Sequence, residues 1–88
     1  MRLLWSRGAW KDYLRWQATD PKLHARINGL VRDIERSPFA GLGKPEPLKG
    51  NFSGYWSRRI DSEHRLVYRV VGKGADRRLE IIQCRYHY

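Results

Sequence analysis

The chain has 88 residues, enough for one domain with a single modest core and too few for two. Its 18 Lys and Arg against 9 Asp and Glu give a formal charge of +9, a footprint suited to a polyanion such as nucleic acid, with a generally basic surface or an anionic membrane as plainer alternatives. The single cysteine, Cys84, excludes an internal disulfide and a cysteine-built metal site, and the apolar runs are too short for a signal peptide or a membrane span, so the expected compartment is the cytoplasm.

The basic residues are spread along the chain, eight in residues 1–43 and ten in residues 44–88, which argues against a disordered basic arm. Residues 2–6 (RLLWS) form a short apolar run that reads as a strand. Ser6 then caps a helix through about Gln17, with Trp10, Tyr13 and Leu14 on one face. The second helix has stronger signals. Asp20 is a good N-cap and Pro21 suits the first helical position. Leu23, Ile27, Leu30, Val31 and Ile34 then make one apolar stripe at helical spacing. Ser37-Pro38 ends the helix, because the residue before a proline is pushed out of the helical region.

Residues 39–51 (FAGLGKPEPLKGN) read as loop from their Gly and Pro content. Strands are expected at residues 54–60, 64–71 and 78–88, separated by turns at residues 61–63 and 72–76. The order is β-α-α-β-β-β. It predicts an α+β fold with two helices packed on one face of a small, mostly antiparallel sheet, one domain over residues 1–88. Period-2 alternation turns Leu66, Tyr68 and Val70 towards the helices, and with them Ile82, Cys84 and Tyr86 of the last strand. Arg65, Val67, Arg69, Arg85 and His87 fall on the other face, which reads as an uncovered basic surface suited to RNA.

Metal and cofactor chemistry has no signature here. His24, His64 and His87 are scattered without ligand spacing, and no phosphate-binding glycine loop or nucleophile triad is legible. The chemistry that suits such a basic domain is metal-free cleavage of RNA by its own 2′-hydroxyl. That reaction needs a base for the hydroxyl, cations for the phosphorane charge and an acid for the departing 5′-oxygen. Glu46, Lys49, Arg58, Arg59, Arg65, Arg85 and His87 are residues of the right types.

The block GKPEPLKGNFSGYWSRRIDSEHRLVYRV (residues 43–70), the ending RYHY, LLWS near the start and RINGLVRDIERSPF in the second helix together resemble the YoeB/Txe family of the RelE superfamily. The resemblance runs over nearly the whole chain. It implies a compact RNase-type toxin that cuts mRNA in the ribosomal A site, needs no cofactor, and is neutralised by a cognate YefM-type antitoxin. By the same resemblance Glu46 is the general base, Arg65 the phosphate-stabilising arginine, His87 the general acid and Tyr88 the terminal tyrosine of the site. Lys49 and Arg59 match further basic positions, and Arg58 and Arg85 are expected phosphate contacts. The segment GKGADRR between the last two strands is longer than the family pattern.

Lys44 and Lys49 flank Glu46 and favour its charged form, which makes it a weaker base. Orienting the 2′-hydroxyl or a lysine is therefore an alternative role. Trp5, Trp10, Trp16 and Trp56 suit the core or the interface of a homodimer, and His64 at a strand start suits a structural role. Operator DNA is expected to be bound only through the antitoxin, and no membrane is expected. Two other functions fit the composition: a gyrase poison on the same superfamily fold, which needs no acid and base, and a non-catalytic nucleic-acid-binding module, which would bind free RNA or DNA with a steep salt dependence.

Overall fold

The computed structural model describes residues 1–86; the roles expected of His87 and Tyr88 fall outside the described residues. In chain order the elements are β1 (Arg2–Trp5), α1 (Arg7–Thr19), α2 (Pro21–Arg36), β2 (Glu46–Pro47), β3 (Trp56–Arg59), β4 (Arg65–Val71) and β5 (Arg78–Gln83), with short 3₁₀ turns at Gly50–Phe52 and Gly74–Asp76. The strands form one five-stranded sheet in the order β1-β5-β4-β3-β2. β1 runs parallel to β5 and every other pairing is antiparallel.

Both helix starts follow from their capping residues. Ser6 Oγ accepts from the Ala9 amide at 3.1 Å and donates to the Ile82 carbonyl at 3.1 Å, so one hydroxyl starts α1 and ties it to β5. The Asp20 carboxylate accepts from the Leu23 amide at 3.1 Å, with Pro21 at the first helical position. The α2 stripe of Leu23, Ile27, Leu30, Val31 and Ile34 is buried in one core with Leu66 and Tyr68 of β4, Leu79 and Ile81 of β5, and Ala9 of α1. The expected stripe on α1 is only half docked. Trp10 and Leu14 are 45% and 42% exposed, and Tyr13 is half-buried with its hydroxyl donating to Asn28 Oδ1 at 2.6 Å.

Two expectations are corrected. The stretch 39–51 is not all loop, because Glu46 and Pro47 pair with Ser57 and Trp56 as the edge strand β2. Proline cannot donate to a ladder, so a Pro-flanked pair survives only at an edge, and two residues are too few to show alternation. Gly43, at φ 79°, brings this segment in: its carbonyl accepts from the Arg59 amide at 2.7 Å, and a Cβ there would lie 3.0 Å from Leu30 Cδ2 and 3.0 Å from Arg59 O.

The last strand stops at Gln83 instead of running to the end of the chain, and its facing differs from simple alternation. Tyr68 pairs with Ile81 and Val67 with Gln83, which leaves Ile82 as an extra residue on β5. A bulge of this kind shifts the phase of the side chains by one. Leu79 and Ile81 therefore point into the core before it and Cys84 after it, while Ile82 is only half-buried. Tyr86, expected in the core, is 52% exposed at φ 62°.

Candidate functional site

Register across the sheet brings several of the expected residues to one face. Glu46 stands opposite Ser57 and Ser57 opposite Val67, which in turn pairs with Gln83. Two positions along, Arg59 stands opposite Arg65. Directly opposed residues of antiparallel strands share a face, with Cβ atoms about 4.5–5.5 Å apart. Glu46, Ser57, Arg59, Arg65, Val67 and Gln83 thus share the face away from the helices. Glu46 and Arg59 are exposed and Arg65 is half-buried. Its Nη1 donates to the carbonyls of Asp61 at 3.2 Å and His64 at 3.3 Å.

This face is not the open basic plain that alternation suggested. Ser57 and Val67 form a buried floor between the charged residues, and Val67 lies outside the helix-side core cluster. Further along, Glu80 bridges Arg69 at 2.6 Å and Arg78 at 2.8 Å. The hydrogen bonds from Arg78 and Arg69 hold the Glu80 carboxyl below its ordinary range, and the bond to Glu80 raises Arg69. Arg69 also lies 5.0 Å from the Tyr55 ring centroid. Lys49 is exposed just beyond β2, next to the 3₁₀ turn Gly50–Phe52.

Arg58 is a correction to the expected set of phosphate contacts. It stands opposite Leu66 on the helix side of β3 and is 0% exposed. Its guanidinium donates to Asp33 Oδ2, to Tyr68 Oη at 3.2 Å, and to the carbonyls of Leu42 at 3.0 Å, Ser37 at 2.6 Å and Ala40 at 3.0 Å. A phosphate has no access to it. What it holds is the segment that follows α2, with the Asp33 carboxyl kept at about 2 by the hydrogen bonds from Arg58, the Leu42 amide and Arg36.

The face expected for Arg85 is also corrected, although its side chain stays partly exposed. Arg85 lies at the α1 side, 3.7 Å from the Asp12 carboxylate and near the rings of Trp16 and Tyr86, because β5 ends at Gln83 and strand alternation no longer holds it on the Arg59–Arg65 face. Sequence reasoning missed Ser57 and Gln83 as members of the row containing Glu46. The signal was present only in the pairing, and no pairing is legible while Glu46 is read as loop. Among the described residues there is no cluster of three or more His, Cys, Asp or Glu side chains able to hold a metal ion.

The family model described as YoeB-like toxin of bacterial type II toxin-antitoxin system matches residues 5–88. The toxin YoeB of Escherichia coli strain K12 is 57% identical over 88 residues, covering 100% of both chains. Among solved structures, a YoeB/ParE toxin from Agrobacterium tumefaciens is 60% identical with a TM-score of 0.96, covering 100% of both chains. A heterotetrameric YoeB-YefM toxin-antitoxin complex from Staphylococcus aureus contains a chain 44% identical, with a TM-score of 0.88 over 100% of this chain and 98% of that one.

Proposed function

The chain belongs to the YoeB-like toxins of bacterial type II toxin-antitoxin systems, and from that membership we propose that it is a ribosome-dependent endoribonuclease that cuts mRNA in the A site. The observation that best supports the reading is the register that sets Glu46, Arg59 and Arg65 on one face of adjoining strands. A carboxylate that shares a face with two arginines suits a reaction that removes a proton and builds negative charge on phosphorus.

In the proposed reaction Glu46 takes the proton of the 2′-hydroxyl, or orients that hydroxyl, as the 2′-oxygen attacks the adjacent phosphorus. Arg65, with Arg59 and Lys49, meets the charge that develops on the phosphoryl oxygens. His87 donates a proton to the 5′-oxygen as the phosphorus–oxygen bond breaks, and Tyr88 completes the site. The products are a 2′,3′-cyclic phosphate and a 5′-hydroxyl, and the proton balance closes without a metal or cofactor. The ribosome supplies what so small a site lacks, the in-line placement of the mRNA, an effect that can account for a large share of the rate.

The charge of +9 suits an acidic, partly disordered antitoxin segment of the YefM type, folding as it binds. The YoeB-YefM complex of the Staphylococcus aureus relative supports an antitoxin partner of this type. A homodimer and operator contact through the antitoxin are part of the same reading. No helix of the described chain is long and apolar enough to cross a membrane, and the ribosome is a cytoplasmic partner.

The test is to map mRNA 5′ ends in cells after brief induction, with and without the co-expressed antitoxin. New 5′-hydroxyl ends in translated frames, suppressed by the antitoxin, are expected. Growth arrest without new ends would point to a different target.

A further inference from the structure

The segment that leaves β5 is anchored by contacts from α1 and from the start of β4. The Cys84 carbonyl accepts from Trp16 Nε1 at 2.9 Å, and Gln83 Nε2 donates to the Arg85 carbonyl at 2.9 Å. Tyr86 is gripped on both sides of its Cα. Its amide donates to His64 Nδ1 at 2.7 Å, and its carbonyl accepts from the Arg65 amide at 2.9 Å. It holds φ 62°, a region that an aromatic residue seldom occupies and that persists only where neighbouring groups over-determine it. The two hydrogen bonds are those groups.

His64 is built for this contact. Its ring is buried, 4.9 Å from Trp16 and 5.8 Å from Tyr86 between centroids. Its backbone amide donates to Asp61 Oδ1 at 2.7 Å, which fixes the turn that delivers it. A backbone amide can only donate, so Nδ1 is the accepting nitrogen and the ring proton sits on Nε2. The Glu63 carboxylate, 3.8 Å from Nε2, is too far for a hydrogen bond.

We propose that His64 is a positioning residue of the site: its Nδ1, together with the Arg65 amide, fixes where the chain leaves the sheet towards His87. Arg65 then has two parts in one place, its side chain on the Glu46 face and its amide on the carbonyl that precedes His87. The proposal rests on the reading of His87 as the general acid, and deepens it by naming what holds that end of the chain.

The test compares His64→Leu, which removes the acceptor, with His64→Asn, whose Oδ1 hangs from Cγ as Nδ1 does and restores it. In the full-length chain, His64→Leu should keep its circular dichroism spectrum and raise hydrogen exchange at the Tyr86 amide by roughly two- to tenfold, the loss expected for one hydrogen bond. Single-turnover cleavage on programmed ribosomes should fall with unchanged half-saturation, and His64→Asn should recover both protection and rate. In the unmutated protein, nitrogen NMR should find Nδ1 unprotonated and scalar-coupled to the Tyr86 amide. A protonated Nδ1, an equally protected Tyr86 amide in His64→Leu, or full cleavage once protection is lost would overturn the proposal. If the unmutated protein cuts nothing, the nuclease reading fails, while the coupling and the exchange still decide the clamp.

Discussion

Arg58 and Arg59 are adjacent in sequence and sit on opposite faces of β3, the first fully buried over Asp33 and Tyr68, the second exposed opposite Arg65. One strand residue of separation divides a structural guanidinium from one available to a phosphate. Arg58 joins β3 to the end of α2 and to the carbonyls of Ser37, Ala40 and Leu42, so the segment that leads into β2 and Glu46 hangs on it.

Replacing Arg58 should therefore act on stability, and replacing Arg59 should not. Arg58→Met takes from the Asp33 carboxylate its one buried cationic donor, leaving the Leu42 amide and the exposed Arg36, and strips the carbonyls of Ser37, Ala40 and Leu42 of theirs. Removal of one partner from a buried pair costs about 3–5 kcal/mol. Urea unfolding of the two variants checks this. An Arg58→Met protein as stable as the parent would remove the keystone role.

The same pair gives the acid limb of stability. Asp33 is held at about 2 against an ordinary 3.8, chiefly by the hydrogen bond from Arg58. A depressed carboxyl stabilises the folded state above its unfolded value, and the contribution is lost as pH falls from 3.8 through about 2. Unfolding midpoints measured across that window should fall more steeply for the parent than for Asp33→Asn. Equal slopes would mean that Asp33 carries no such linkage.

Cys84 should be chemically silent while the chain is folded. It is fully buried, its Sγ donates to the Ala9 carbonyl at 3.4 Å, and burial, with the nearby Asp12 charge, pushes the thiol up to about 12. Thiolate is the reactive form. Iodoacetamide at neutral pH should label the native protein slowly and the urea-unfolded protein quickly; rapid labelling of the native state would place the thiol at the surface.

The helices were legible because their signals are local. Ser6, Asp20 and Pro21 mark the starts, and the stripe from Leu23 to Ile34 marks the buried face. What sequence could not supply was pairing. The bulge at Ile82 shifts the phase of β5, so Ile81 and not Ile82 joins the core, and the end of the strand at Gln83 lets Arg85 turn to Asp12. Strand β2, with Pro47 and only two residues, has no pattern of its own and exists because β3 offers an edge. Arg58 read as surface because arginine is almost never fully buried unless paired, and its partner Asp33 is 25 residues away. The residues proposed for catalysis came instead from the family motif, and register then showed that Glu46, Arg59 and Arg65 share a face.

The most direct measurement is single-turnover cleavage of one mRNA, free and on programmed ribosomes, by the parent chain and by Arg65→Ala, Glu46→Gln and His87→Ala. Each variant is first checked for folding by circular dichroism. The account predicts cleavage that needs the ribosome, and a loss of at least about 10²-fold for Arg65→Ala and His87→Ala, the range for removing one charge-stabilising or proton-donating group. Glu46→Gln should lose a similar factor if the carboxylate is the base and less if it only orients the hydroxyl. Equal rates on free mRNA, or full activity in folded Arg65→Ala and His87→Ala proteins, would contradict it.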